Sequence, residues 1–311
     1  MPSLDNIAEA SRVVDPTFLG TPQFVDPTLS HLLGRDLVLK VETLNPIRSF
    51  KGRGADYYMR QLSAGQHVVC TSAGNFGQAI TYAGRARDIA VTVYAARQAN
   101  PLKVERMRAL GADVILEGDD FDVAKAAARR HVEEQADCVF VEDGRDVAIA
   151  EGAGTIGVEL APLDLDTVIV PVGNGALVSG IGRWMKAHSP RTRIIGVCAE
   201  AAPAMEISWR TGRPTATDSA ATVADGIAVR VPVPAAVDWM REVVDDVVLV
   251  SEKRISEALW TIRDALGLVV EPAGAVGVAA ALEHSVDAPV QATIITGSNI
   301  GPDLFRDLIA G

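Results

Sequence analysis

Short apolar runs alternate with amphipathic stretches along most of this chain. Residues 67–70, 90–94, 114–116 and 138–141 are apolar runs of strand length, and residues 74–85, 101–110 and 121–134 between them read as amphipathic helices. Pro101 suits a first helical turn, and Gly111 supplies a C-cap. A second run begins near Glu151, with strands over 167–171, 193–198, 246–250 and 292–296. Its helices cover 177–188, 251–266 (with a good N-cap) and 273–283, and a closing segment covers 302–310. Ahead of both runs, residues 1–20 read as a helix-and-turn lead-in, 37–41 as a strand and 51–62 as a helix. Residues 203–233, with their prolines and small side chains, read as irregular chain wrapping the surface. Apolar strands alternating with amphipathic helices predict parallel sheets covered on both faces. The fold class expected is α/β, as two open, doubly wound lobes with a cleft between them.

Composition narrows the function classes. The chain has 311 residues, enough for two lobes, and its 48% hydrophobic and 22% charged content reads as soluble and globular. A net charge of −11 argues against nucleic-acid binding, which needs a basic face. No apolar run has the length of a membrane span, and the N-terminus lacks the basic and apolar regions of a signal peptide. Cys70, Cys138 and Cys198 have no metal spacing and read as buried thiols of a reducing, cytoplasmic setting. The five histidines show neither metal nor triad spacing.

Candidate chemistry starts at Asn45-Pro46-Ile47-Arg48-Ser49-Phe50-Lys51-Gly52-Arg53-Gly54-Ala55. Pro46 disfavours helix before it, and Ser49 is the expected N-cap of the helix over 51–62. Lys51 then stands near the positive end of a helix dipole, which opposes its charge and favours a neutral amine nucleophile. The plain alternative is a solvated lysine in a loop.

Four further segments each end a strand in small or polar residues, where open α/β sheets bind ligands. Thr71-Ser72-Ala73-Gly74-Asn75-Phe76-Gly77-Gln78 leaves backbone N–H groups at a helix start, suited to a carboxylate or phosphate, or is an ordinary strand-to-helix turn. Pro171-Val172-Gly173-Asn174-Gly175-Ala176-Leu177 is a candidate anion nest, or a tight turn packed for steric reasons. Thr296, in Ile295-Thr296-Gly297-Ser298-Asn299, ends a buried strand with a hydroxyl that needs a partner. Glu271, before Pro272-Ala273-Gly274-Ala275, either caps a helix or faces the cleft. Gly152-Ala153-Gly154-Thr155-Ile156-Gly157 matches the dinucleotide fingerprint, but the strand after it carries no acid for a ribose, so the match reads as a decoy.

Taken in order, Ser49-Phe50-Lys51-Gly52-Arg53-Gly54-Ala55, Ser72-Ala73-Gly74-Asn75, the Gly173 loop, Val223-Ala224-Asp225-Gly226, Glu271-Pro272-Ala273-Gly274 and Thr296-Gly297-Ser298-Asn299 resemble the fold-type II pyridoxal-phosphate enzymes. The likeness is to the threonine/serine dehydratase and serine racemase branch and covers nearly the whole chain. It implies a large, discontinuous cofactor-binding domain over residues 1–63 and 144–311 and a small α/β domain over 64–143. It implies that Lys51 holds pyridoxal 5′-phosphate covalently, with Phe50 beside the ring, Asn75 at the ring hydroxyl and Thr296 at the ring nitrogen. Gly173, Asn174, Gly175, Ala176 and Leu177 would cradle the phosphate, and Gly226 and Glu271 would complete the cofactor site. Ser72, Ala73, Gly74 and Asn75 would bind the carboxylate of a small amino-acid substrate, with Phe76 alongside. Glu200, the carbonyl of Ala204 and Glu206 fall at the spacing of the branch's divalent-cation site, for Mg²⁺ or Ca²⁺. A homodimer is usual for the family.

The implied activity is β-elimination from a hydroxy amino acid such as L-threonine or L-serine, giving a 2-oxo acid and ammonia. Alternatives are β-replacement of the cysteine synthase kind and a cofactor-binding homologue with weak activity. Three departures stand out. Asn174 and Ala176 replace two glycines usual in the phosphate loop. Phe76 stands where histidine is usual, which makes the pocket more apolar. Ala73 stands where racemases carry a serine base, so racemisation is expected to be weak or absent.

Overall fold

The computed structural model describes residues 1–63, 65–284 and 289–310. Ala64, where the smaller domain is expected to begin, lies outside the described residues. Each apolar run forms a strand, and the strands sort into two sheets. The larger contains β1 (Gln23–Val25), β2 (Asp36–Val41), β7 (Thr167–Pro171), β8 (Arg193–Ala199), β9 (Asp246–Val250) and β10 (Val290–Ile295), in the order β1-β2-β10-β7-β8-β9. Only the pairing of β1 with β2 is antiparallel there. The smaller is parallel throughout and contains β3 (His67–Thr71), β4 (Ala90–Ala95), β5 (Asp113–Leu116) and β6 (Cys138–Val141), in the order β5-β4-β3-β6. The central strands β2, β3, β4, β7, β8 and β10 are buried along most of their length, as sheets covered on both faces require, while the edge strands β1, β5, β6 and β9 are less so.

The helices fill the faces. α1 (Leu4–Val13) and α2 (Pro27–Leu33) precede β2, and α3 (Lys51–Met59) follows it. α4 (Asn75–Arg85), α5 (Pro101–Leu110) and α6 (Phe121–Glu134) connect the strands of the smaller sheet, and α7 (Val147–Leu160) returns the chain to the larger one. α8 (Ala176–His188), α9 (Ala204–Thr211), α10 (Pro234–Val243), α11 (Glu252–Leu266), α12 (Pro272–Glu283) and α13 (Pro302–Ala310) complete it. No helix among the described residues is long and apolar enough to cross a membrane.

Several expectations need correction. Residues 203–233 are not wholly irregular: α9 and a 3₁₀ turn at Asp225–Ile227 lie within them, and α9 buries Ala204, Met205 and Ser208. β1 and α2 were not expected, since three or seven residues carry too little periodicity to declare an element, and neither was the ten-residue α10, which opens at Pro234 straight after a stretch that reads as irregular. Ser49 is not the N-cap of α3. That position is Phe50, and the Ser49 hydroxyl instead accepts the Lys51 N–H at 3.2 Å. The dinucleotide-like glycines lie inside α7, with no strand or turn at them. They form a close-packing seam: a Cβ on Gly152 would lie 2.5 Å from the Arg53 carbonyl oxygen, and one on Gly180 of α8 would lie 2.1 Å from that of Ala150.

That seam lets α3 lie tightly against α7, where Arg53 is fully buried. Its guanidinium donates to both oxygens of Glu42 at 2.8 Å, to Glu159 at 2.6 Å and to Thr155 at 2.9 Å. Burial by itself would weaken the guanidinium's hold on its proton, but the Glu42 and Glu159 carboxylates outweigh it and raise its pKa. Lys40 Nζ joins through Glu159 and the Thr21 carbonyl, the latter at 2.7 Å. Such a network contributes through completeness, because removing one member strands the others in a water-poor interior. Arg53→Ala is expected to lower unfolding stability by about 3–5 kcal/mol, read as a fall in the urea midpoint; a change under about 1 kcal/mol would show that Glu42 finds other partners.

Candidate active site

The site forms where strand carboxyl ends from both sheets face one cavity of about 400 Å³. β3 feeds the Ser72–Phe76 turn into α4, β6 ends at Glu142 and Asp143, β7 feeds the Gly173–Leu177 turn into α8, and β10 ends at Thr296. All of these residues line the cavity, as do Phe50, Lys51, Lys103, Asp225, Gly226 and Glu271.

Lys51 opens α3, and the loop before it is held on both sides. The Asn45 side chain donates to the Glu42 and Ser49 carbonyls and accepts the N–H groups of Ile47 and Ser49. The Phe50 N–H donates to the Thr296 carbonyl at 3.0 Å, and the Ser298 N–H to that of Arg48 at 3.0 Å. Arg48 adopts φ +52°, uncommon for a side-chain-bearing residue and tolerated where surrounding bonds over-determine the backbone. The Lys51 amine lies 4.6 Å from the Phe50 ring centroid and 6.0 Å from that of Phe76, and donates to Asp143 Oδ2 at 2.7 Å.

Two helix starts present backbone donors to the same space. Gly175 takes φ +86° as the N-cap of α8, and the N–H groups of Gly173 to Leu177 have no protein acceptor among the described residues. Asn174 and Ala176 are accommodated there, with the positive φ assigned to the glycine between them. Gly226 covers the loop: a Cβ on Gly173 would lie 3.1 Å from its carbonyl oxygen. Across the cavity the Ser72 hydroxyl accepts the Gly74 N–H at 3.1 Å, while Ala73 is exposed. The chain therefore offers one nest for a phosphate, another for a carboxylate, and a primary amine. That donor set suits a phosphorylated aldehyde and an amino-acid substrate.

Further groups tie these residues together, and of them sequence reading missed Arg106, Lys103 and Asp143. The Asn75 amide donates to Glu271 Oε1 and accepts from Asn299 Nδ2 at 2.8 Å, and Arg106 donates to Asn299 in turn. Thr296 Oγ1 donates to the Ala273 carbonyl at 3.2 Å. Buried Lys103 of α5 pairs with Asp225 and reaches the Ser72–Asn75 turn, its Nζ 3.7 Å from where a Gly74 Cβ would stand. Lys103 gives no local signal inside an ordinary helix. Asp143 could have been found, because it follows a strand's carboxyl end.

Two of the three groups expected to hold a divalent cation bond to protein partners instead. Glu206 is paired with Arg210, Glu200 is exposed just past the end of β8, and the Ala204 carbonyl accepts the Ser208 hydroxyl at 2.6 Å. Among the described residues no group of three or more His, Cys, Asp or Glu could hold a metal ion. Cys70 and Cys198, with thiols pushed up to about 12 by burial, are inert packing residues, and all three cysteines are free and buried.

Comparison with known proteins is consistent along the chain. A family model described as pyridoxal-phosphate dependent enzyme matches residues 14–297. An L-threonine ammonia-lyase of Thermotoga maritima is 37% identical, over 99% of this chain and 78% of that protein. The catabolic L-threonine dehydratase of Escherichia coli K12 is 33% identical, over 98% of this chain and 94% of that protein. Among solved structures, a threonine deaminase from T.th. superposes with a TM-score of 0.91 at 31% identity, over 96% of this chain and 99% of that one. Maize serine racemase superposes with a TM-score of 0.92 at 27% identity, over 99% of this chain and 97% of that one.

Glu271 is the electrostatic anomaly of the cavity. Burial pushes its carboxyl up to about 6, with Asp225 acting in the same direction and Lys103 and Asn75 against it; Oε2 has no partner among the described residues. A carboxyl protonated more readily in the folded than in the unfolded protein contributes stability that is lost as pH rises from about 4.5 through about 6. Glu271→Gln is therefore expected to stabilise the cofactor-free protein at pH 7 by on the order of 2 kcal/mol, with the gain vanishing near pH 4.5. Urea melts across that range check it, and a gain independent of pH would show that Glu271 does not titrate there.

Proposed function

The chain belongs to the pyridoxal-phosphate dependent enzyme family, and from that premise we propose that it eliminates water from L-threonine or L-serine, after which the product takes up a water and releases ammonia, leaving a 2-oxo acid. The observation that carries this reading is the meeting of three features in one cavity: the Lys51 amine, the open N–H groups of Gly173 to Leu177, and the Ser72–Asn75 turn. Relatives named as L-threonine ammonia-lyase and L-threonine dehydratase, alike over nearly the full chain, support the same reaction.

Lys51 would hold the cofactor covalently, the Gly173–Leu177 amides would take its phosphate, and Phe50, Asn75, Gly226, Glu271 and Thr296 would surround its ring. Bound there, the cofactor supplies an electron sink for the charge left at Cα. The Ser72–Asn75 amides take the substrate carboxylate at the start of α4, where the helix dipole favours an anion. Lys103 stands beside that turn and adds positive potential. The Lys51 amine, when free, would accept the Cα proton. Phe50 and Phe76 flank that amine and keep water from the carbanionic carbon. Ala73 carries no proton, so it cannot return one to the opposite face of Cα, and racemisation has no second base there.

We take residues 64–143 as the smaller body and residues 1–63 with 144–311 as the larger. Lys103–Asp225, Asp122–Arg230 and Arg106–Asn299 join the helices of the first to the second. These contacts support a cleft that closes on substrate and excludes water.

Purified protein reconstituted with pyridoxal phosphate is expected to yield 2-oxobutanoate from L-threonine and pyruvate from L-serine. Borohydride reduction should place a pyridoxyl label on Lys51. Lys51→Ala should abolish the label and lower 2-oxo acid formation by ~10³-fold or more. A labelled protein that forms no 2-oxo acid from either substrate would leave the family membership intact and overturn the reaction.

A further inference from the structure

Asp143 has no task in the elimination as derived from Lys51 and the two anion nests, yet it touches the amine at its centre. Its side chain lies in the cavity wall at the carboxyl end of β6 and is 10% exposed. Oδ2 accepts a hydrogen bond from Lys51 Nζ at 2.7 Å, while Oδ1 is buried and has no partner among the described residues. A buried carboxylate oxygen with no donor is rare, and the residue that carries it lines the cavity where a substrate must sit.

The charged neighbours of Asp143 are otherwise engaged. Glu142 pairs with Lys125 and Arg129 of α6 and with Arg145. Asp146 accepts the Glu142 N–H at 2.6 Å through its carboxylate. Lys51 of α3 is the one cation within ion-pairing distance of Asp143 among the described residues. The backbone also holds Asp143 in place. Gly144 has φ +84° and presses on the phosphate-side loop so closely that a Cβ there would lie 2.4 Å from the Asn174 carbonyl oxygen. A carboxylate seated this rigidly can align two groups at once.

We propose that Asp143 recognises the β-hydroxyl of the substrate and aligns it with Lys51. The proposal rests on the elimination reading. Oδ1 accepts the hydrogen bond of the β-hydroxyl while Oδ2 meets the Lys51 nitrogen, which brings the β-oxygen within reach of that nitrogen. The Lys51 amine takes the proton from Cα, and the C–H electron pair becomes the second Cα–Cβ bond. The Cβ–O bond breaks with its pair on oxygen, and the Lys51 ammonium returns the same proton to that oxygen, which leaves as water. No outside acid, oxidant or reductant enters. A β-substituent that departs without needing a proton, such as chloride, has no use for Asp143 although it still needs Lys51.

The test compares L-serine with β-chloro-L-alanine, which share a carbon skeleton, in the reconstituted wild type, Asp143→Asn and Asp143→Glu. The Asn variant is expected to keep the borohydride label on Lys51, to lose ~10²-fold or more in kcat/KM for L-serine, and to change little on β-chloro-L-alanine. The Glu variant keeps the carboxylate and should recover part of the L-serine rate; should the Asn variant fail to take up cofactor, the Glu variant's larger loss on L-serine than on the chloride carries the comparison. Without substrate, removing the negative charge that faces Lys51 should also move the pH midpoint of the bound cofactor's visible absorbance downward in the Asn variant. Equal losses on both substrates, no loss on either, or an unmoved midpoint overturns the assignment of Asp143 alone. A wild-type holoenzyme that eliminates neither substrate overturns the elimination reading, and this one with it.

Discussion

The buried ion network around Arg53 is the constraint on which the site depends. Arg53 lies two residues after Lys51 in α3 and reaches Glu42 at the end of β2 and Glu159 near the end of α7. A guanidinium and carboxylates removed from water tolerate little misplacement, because each lost hydrogen bond leaves a desolvated charge. The network therefore locks the first turn of α3 to the sheet and to α7 together. Lys51 inherits its position from an interaction that takes no part in the chemistry. The glycines of the Lys-Gly-Arg-Gly segment serve the same end: a Cβ on Gly52 would lie 2.2 Å from the Phe18 ring, and one on Gly54 would lie 2.5 Å from the Ile149 carbonyl oxygen.

Around that anchor the cavity is assembled by topology. Parallel strands deliver their carboxyl ends to one edge of each sheet, and each end is followed by a turn that opens a helix. Two such turns supply backbone donors without any charged side chain, a donor set suited to anions in an otherwise acidic chain. Charges inside the cavity come mostly as pairs, as in Lys103 with Asp225 and Lys51 with Asp143. Unpartnered oxygens are left on Glu271 and Asp143, and both residues line the cavity.

One polar chain links the two sheets across that space. Arg106 of α5 donates to Asn299, Asn299 donates to Asn75 at the start of α4, and Asn75 donates to Glu271 before α12. Asn299 also donates to the Ile47 carbonyl, in the loop that leads to Lys51. Movement of the smaller sheet's helices would therefore be felt at the lysine loop through neutral amides, whose bonds can be exchanged at lower cost than those of buried ions.

Local signals in the sequence determined the strands, most helices and the turns that bear ligand-binding groups. Pro101 at a first helical turn, Gly111 with φ +107° and Ser251 capping α11 each act over a few residues, so each is readable from the chain alone. The same holds for Lys51 at a helix start and for the Gly173 loop. Tertiary structure decided which segments meet. It turned a fingerprint of glycines into a packing seam within α7, gave the cap of α3 to Phe50, and brought Asp143 to Lys51 and Lys103 to Asp225. The physical reason is separation: periodicity declares which face of an element is buried, but a partner 92 or 122 residues away is chosen by how the elements pack, which no local pattern encodes.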